Sequence, residues 1–251
     1  MGREQLQKNG YVNLTTHLSK GEFEICESLM NQLKIYPEMV GGPMKYFEYS
    51  KKDRSILLNR VEFFLEVSED FSNLIEEKFL PLLKTFTGKD YILFKEKINF
   101  KMAGAGGFKA HQDAPAFKKF IDEEMFTIMI PLQKTTLLNG CLYVSRKFNN
   151  LILPHIKGSI PEDYTNDMEW VPIAQEKRDI LVFSSYLVHS SQENHSNFPR
   201  QCYFLTFNPK KLGNLRKQYF DFKRKNFPPR VERTDEEKYK SWQDNLAREI
   251  F

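Results

Sequence analysis

An imidazole and a carboxylate stand two residues apart at His111-Gln112-Asp113. In extended backbone, residues two apart project to the same side, so both groups aim at one point. A third ligand from a distant strand would complete a face of two histidines and one carboxylate. Such a face suits non-haem iron(II), because it leaves coordination positions open for a co-substrate and oxygen. An H-x-D triplet alone is more often a surface pair in a loop. Further residues shift that balance. His189 ends the apolar run Ile180–Val188, where a strand-borne ligand belongs. Arg200 follows eleven residues later, just after Pro199, and opens the strand-like run Gln201–Phe207. A hairpin between the two runs would put His189 and Arg200 on neighbouring strands, able to face one interior. A planar guanidinium there is suited to a bidentate pair with a carboxylate, although a lone Arg is more often in a surface salt bridge. Ser191 shares the parity of His189 and is expected to face inward. His195, the rival third ligand, lies five residues before Arg200 and is expected in the turn.

The elements that must position these residues change character along the chain. The first ninety residues read as mostly helical. Ser19 followed by Glu22 is a capping-box pattern, Phe23, Cys26, Leu29, Met30 and Leu33 recur at helical spacing, and Pro37 marks the stop. A second helix is predicted near Ser68–Thr85, with Pro81 as a kink and Gly88 as its end. From Asp90 the texture is that of strands. Ile92, Phe94, Ile98, Phe100 and Met102 share one parity, interrupted by Glu96, while Lys95, Lys97, Asn99 and Lys101 share the other. Phe126–Leu132 reads as a central strand, and Asn139-Gly140 is a tight-turn signal before Cys141–Val144. This order predicts an α+β, mainly β protein: a sandwich or barrel packed against helices. One domain is expected over 1–251, with a helical part to about residue 90, a β core over about 91–208, and a charged, helix-like extension over 209–251 broken by Pro228-Pro229.

Composition sets outer limits. The 251 residues are 41% hydrophobic and 28% charged, which is globular rather than disordered or fibrous, and 22 phenylalanines can fill a sizeable core. A net charge of +4 is too small to argue for a nucleic-acid partner, although it mildly favours anionic small molecules. No stretch approaches the ~20 apolar residues that span a bilayer. The polar Met1–Gly10 segment does not read as a secretory signal, and Leu6 stands where myristoylation of Gly2 would require Ser or Thr. Three distant cysteines, Cys26, Cys141 and Cys202, form no CxxC pair and suit a reducing compartment. A cytoplasmic protein is the expectation. Gly104-Ala105-Gly106-Gly107 reads as a flexible lead-in to the metal segment, because no helix follows that could complete a phosphate loop. Trp170 and Trp242 read as packing, and Lys223-Arg224-Lys225 as a solvated helix face.

Taken together, these stretches resemble the phytanoyl-CoA dioxygenase family of Fe(II)/2-oxoglutarate oxygenases. The matching runs are Gly106 through Asp113, Asn139 through Val144, Asp179 through Phe183, and Leu187 through Ser191 with Asn194, Ser196 and Pro199-Arg200. Asn9 through Val12 followed by the Ser19 helix is a weaker N-terminal match. The resemblance implies a double-stranded β-helix (jelly roll) with packed N-terminal helices. It implies iron(II) held by His111, Asp113 and His189, and Arg200 binding the distal carboxylate of 2-oxoglutarate with help from the Ser191 hydroxyl. Molecular oxygen would be the other co-substrate, and the outcome hydroxylation of a small molecule. A carboxylate at Asp113 favours hydroxylation over halogenation, since halogenating relatives carry a small residue there. Ser145-Arg146-Lys147-Phe148 departs from the Pro-Gly-Ser-His of many members, which weakens inference about substrate.

Two other classes compete: a metal-binding jelly roll without oxygenase activity, and a metal-dependent isomerase or hydrolase on a cupin-like barrel. A lipid or secondary-metabolite hydroxylase is a further alternative within the enzyme class. Tyr219 through Pro229, with His111 through Phe117, is similar to bacterial members acting on aminoethylphosphonate-type compounds. The polar parity of the Asp90 strand matters here. Three lysines ordinarily mean a wet face. The functional alternative is that Asn99 and Lys101, nearest the metal segment, line the pocket and contact an anionic substrate.

Overall fold

The computed structural model describes residues 2–234; Trp242 lies outside them. The chain opens with α1 (Gly2–Asn9), β1 (Tyr11–Leu14) and α2 (Lys20–Ile35). Ser19 caps α2 through the expected reciprocal box with Glu22, and Phe23, Cys26, Leu29, Met30 and Leu33 are its buried stripe. Next come β2 (Met44–Tyr49) and β3 (Ile56–Glu62). Helix accounts for about half of the first ninety residues, and three strands interrupt it. Their strands are short or mixed in polarity, which hid the alternation.

The second predicted helix is present in three pieces. α3 (Glu69–Leu74) runs into a π turn over Ile75–Phe79 and then into α4 (Leu80–Thr87). Pro81 sits in the first turn of α4, where its missing N–H costs little, and Gly88 closes the helix at φ +75°.

The remaining strands are β4 (Tyr91–Lys101), β5 (Phe108–His111), β6 (Phe126–Pro131), β7 (Leu142–Ser145), β8 (Trp170–Ile173), β9 (Ile180–Ser184), β10 (His189–Ser191) and β11 (Arg200–Pro209). The short α5 (Ala114–Phe117) follows β5, and α6 (Arg216–Asn226) follows β11. They form a seven-stranded sheet in the order β1-β9-β6-β11-β4-β3-β2 and a four-stranded sheet in the order β5-β10-β7-β8. All pairings are antiparallel. This is the jelly roll.

The main core lies between the helices and the outer face of the large sheet. Phe71 and Phe79 from the helical side meet Ile98, Phe100, Tyr203 and Leu205 from β4 and β11. The even parity of β4 does not hold throughout. Thr206 pairs with Lys95, but Phe207 pairs with Leu93, so Phe94 is an extra residue in a bulge. Phe94 therefore packs with Phe117 and Tyr219 on the opposite side from Ile98 and Phe100.

The C-terminal basic run is not a solvated face. Lys223 pairs with buried Glu62, and Arg224 pairs with Glu232, so α6 is tied back onto β3 and the loop after α2; Lys225 alone of the three is exposed.

Candidate active site

β5 and β10 pair antiparallel with His111 directly opposite His189, and the two rings stand 4.2 Å apart between centroids. Each ring is oriented from behind. His111 Nδ1 donates to the Lys109 carbonyl at 2.7 Å and His189 Nδ1 to the Leu187 carbonyl at 2.9 Å. A carbonyl only accepts, so Nδ1 carries the proton and Nε2 is left as the ligand atom. Asp113 arrives by a different route from the one predicted. Its backbone is helical at φ −76° and ψ −33°, immediately before α5, so a turn rather than strand parity delivers the carboxylate. One ligand atom from each of His111, Asp113 and His189 lies within 4.8 Å of the others. Two neutral imidazoles and one carboxylate in that space fit a single divalent ion of the iron type.

Gln112 points the other way and holds the surrounding loops. Its amide donates to the carbonyls of Leu151 and Tyr186 and accepts from the Leu153 N–H. Electrostatics agree with a cation site. Burial, then the neighbouring His189, holds the His111 imidazolium well below its ordinary range. Burial alone would raise the Asp113 carboxyl, but His189 and Lys95 outweigh it and keep it below the ordinary carboxylate value.

Two sequence expectations about connectivity need correction. His189 does not end the strand that begins at Ile180. That strand stops at Ser184 in the large sheet, and the chain crosses to the small sheet before β10 begins. Arg200 is accordingly not on a neighbouring strand of the same sheet. It opens β11 of the large sheet and meets His189 across the cleft between the sheets. His189 and Ser191 both line the cleft, as their shared parity predicts, but no hairpin joins His189 to Arg200.

The cleft has an empty volume of about 510 Å³ including its open mouth, and His111, Asp113, His189, Ser191 and Arg200 all line it. Arg200 is 2% exposed, donates through Nη1 to Cys202 Sγ at 3.2 Å, and leaves Nε without a partner. Among the described residues it has no carboxylate partner. A buried guanidinium in that state fits a carboxylate from a bound molecule. The Ser191 hydroxyl accepts from Lys101 Nζ at 2.8 Å. His195 is exposed in the loop before β11, as expected of a turn residue.

The wet-face reading of the β4 lysines fails. Asn99 and Lys101 are buried, and Lys95, Lys97 and Asn99 line the cleft. Lys101 turns instead toward Ser191 and the Gln192 carbonyl. Lys97 is pushed down to about 7, first by burial and then by the charge of Lys95. Lys95 and Lys97 are the site residues that sequence reasoning missed. Their signal was the unbroken polar parity itself, discounted because lysine is usually wet. The glycine lead-in is also not loose. A Cβ on Gly107 would stand 2.6 Å from the Ser191 carbonyl oxygen, so close packing of this segment on β10 demands glycine there.

The sequence profile of the phytanoyl-CoA dioxygenase (PhyH) family matches residues 6–202. The chain belongs to that family. It is an Fe(II)/2-oxoglutarate-dependent dioxygenase, and iron, 2-oxoglutarate and oxygen are the cofactors of its family.

Two relatives match this dioxygenase over nearly their whole length. A 2-aminoethylphosphonate dioxygenase of uncultured bacterium HF130_AEPn_1 is 33% identical, over 95% of this chain and 92% of the relative. A methylphosphonate hydroxylase of Gimesia maris is 32% identical, over 94% and 90%. Among solved structures, EctD from S. alaskensis with 2-oxoglutarate and 5-hydroxyectoine superposes with a TM-score of 0.68 at 17% identity, covering 83% of this chain and 75% of that one. That likeness shows the shared jelly roll. No helix among the described residues is long and apolar enough to cross a membrane.

Proposed function

We propose that this dioxygenase hydroxylates a small organophosphonate, with His111, Asp113 and His189 holding iron(II) and Arg200 and Ser191 holding 2-oxoglutarate. The observation that carries the reading is the presence in one buried cleft of a two-histidine, one-carboxylate donor set and a guanidinium with no counter-ion among the described residues. The substrate class is supported by the two relatives named for phosphonates, and by the basic side chains of the same cleft. Iron(II) and 2-oxoglutarate together supply the oxidising chemistry: one oxygen atom goes to a substrate C–H bond, and 2-oxoglutarate leaves as succinate and CO2.

The chain's own residues bind, orient and exclude water. The Lys109 and Leu187 carbonyls fix the imidazole tautomers, so both Nε2 atoms present lone pairs to the ion. Asp113 completes the donor set, which favours hydroxylation over halogenation. Arg200 gives the co-substrate carboxylate a charged, buried partner, and Ser191, set by Lys101, adds a hydroxyl. Asn99 contacts substrate; Lys101 acts through Ser191 rather than on substrate. The chain works as one catalytic unit, since both sheets build the cleft and α6 supports its back wall. Three unbridged cysteines, all buried, support a cytoplasmic setting.

The test is succinate release by the iron-loaded enzyme with 2-oxoglutarate, with and without 2-aminoethylphosphonate or methylphosphonate. Succinate formation stimulated by either phosphonate is expected. Succinate release that no phosphonate stimulates would remove the substrate class and leave the dioxygenase.

A further inference from the structure

We propose that Lys95, Lys97 and Asn99 form a subsite for a tetrahedral oxyanion on the β4 wall of the cleft, separate from the Arg200 carboxylate subsite. It rests on the phosphonate reading above and assigns the group that the phosphonate end would occupy.

The three residues share one parity of β4 and line the same cleft as the metal donors. Neither lysine is in an ion pair among the described residues. Lys95 Nζ instead lies 4.8 Å from the Phe117 ring centroid and 5.7 Å from that of Tyr219, and Lys97 Nζ lies 4.8 Å from Phe204. Aromatic faces hold an ammonium in place but leave its charge uncompensated.

The nearby carboxylates are committed elsewhere. Asp113 belongs to the metal donor set. Glu62 is taken by Arg60 at 3.0 Å and by Lys223. Two ammonium groups on one strand, walled by rings and without a counter-ion, cost electrostatic free energy that a bound anion recovers. A phosphate-type group carries about −1.5 to −2 near pH 7, and its charge favours the protonated form of Lys97, so that two cations face it when bound. The Asn99 side chain makes no hydrogen bond to protein among the described residues, and its Oδ1 is buried without a partner. Its amide is therefore open to the ligand, as donor or acceptor according to which end faces it.

The first cation is also contacted from outside the family core. Tyr219 lies on α6, beyond the matched residues 6–202, and packs against Phe94 at 4.7 Å and beneath Lys95.

Iron-loaded enzyme with 2-oxoglutarate under anaerobic conditions is titrated calorimetrically with 2-aminoethylphosphonate, methylphosphonate and inorganic phosphate. The titrations are repeated for Lys95→Met, Lys97→Met, Asn99→Ala and Lys97→Arg. At least a tenfold weakening of whichever probe binds is expected for each Met variant, a smaller one for Asn99→Ala, and substantial rescue for Lys97→Arg. Iron stoichiometry and 2-oxoglutarate affinity should stay within about twofold of wild type, which also shows that the variants fold. Phosphonate binding identifies the substrate end as proposed; binding of phosphate alone keeps the oxyanion subsite and removes the phosphonate reading. Three outcomes overturn the subsite: unchanged probe affinity in both Met variants, loss of 2-oxoglutarate rather than probe binding, or no binding of any probe to wild type. Wild type that takes up neither iron nor 2-oxoglutarate would instead sink the dioxygenase assignment.

Discussion

On the four-stranded side of the cleft the chemistry sits in very short strands: β5 has four residues and β10 three. On the seven-stranded side it sits in β4 and β11, of eleven and ten residues, both interior strands, with β11 paired on both edges over Cys202–Phe207 and β4 over Lys97–Asn99. The short strands carry neutral or anionic donors whose aim is set locally, by carbonyls two residues upstream and by the turn into α5. The long strands carry Lys95, Lys97, Asn99 and Arg200. A lysine near a sheet edge can run its stem out to water. Lys95 and Lys97, on a strand interior to the sheet and against aromatic rings, have much less room to do so. One wall therefore gathers the donors proposed for a cation, and the facing wall the basic groups proposed for anions.

Removing a donor from the metal wall should have the largest effect. His189→Ala leaves an imidazole and a carboxylate, and iron per chain should fall to near zero while the circular dichroism spectrum is kept; full occupancy would show that another residue is the third ligand. On the opposite wall, Arg200→Leu should leave iron binding intact and raise the apparent KM for 2-oxoglutarate tenfold or more, since removing one partner of a buried charge-assisted pair costs roughly 2–5 kcal/mol. An unchanged KM would take Arg200 out of the co-substrate site and dissolve the contrast between the walls.

The seam between the walls is tested by Gly140→Ala. Gly140 has φ +71°, and a Cβ there would stand 2.4 Å from the Gln192 carbonyl oxygen. The left-handed conformation alone costs about 1–2 kcal/mol. A lower Tm is expected, with a rise in the 2-oxoglutarate KM because Gln192 and Ser191 both anchor Lys101. A Tm equal to wild type would show that this turn does not hold the walls in register. Ser191→Ala should be the mildest change. It removes one neutral hydroxyl, worth about 0.5–1.5 kcal/mol, and should raise that KM severalfold with iron unaffected. An effect as large as that of Arg200→Leu would mean that Lys101, deprived of its partner, had itself moved.

Local order and chemistry were legible in the residues. The Ser19 box, the α2 stripe, the Gly88 stop and the H-x-D, His and Arg constellation depend on near neighbours or on a motif whose spacing is itself informative. The strands before residue 90 were not legible, because β2 and β3 take their burial from the sheet they join rather than from an alternation of their own. The same holds for the crossover between Ser184 and His189. An apolar run looks continuous in sequence, yet the chain changes sheet within it, and no residue type marks that step. The polar parity of β4 was plain to read, but which side of it was wet was not. Lys95, Lys97 and Lys101 lie inside because a second sheet, α5 and α6 close over that face, and burial of a charge is settled by what packs around it. Sequence by itself determined the donors and their chemistry; tertiary structure decided which wall each one stands on, and which lysines stand among them.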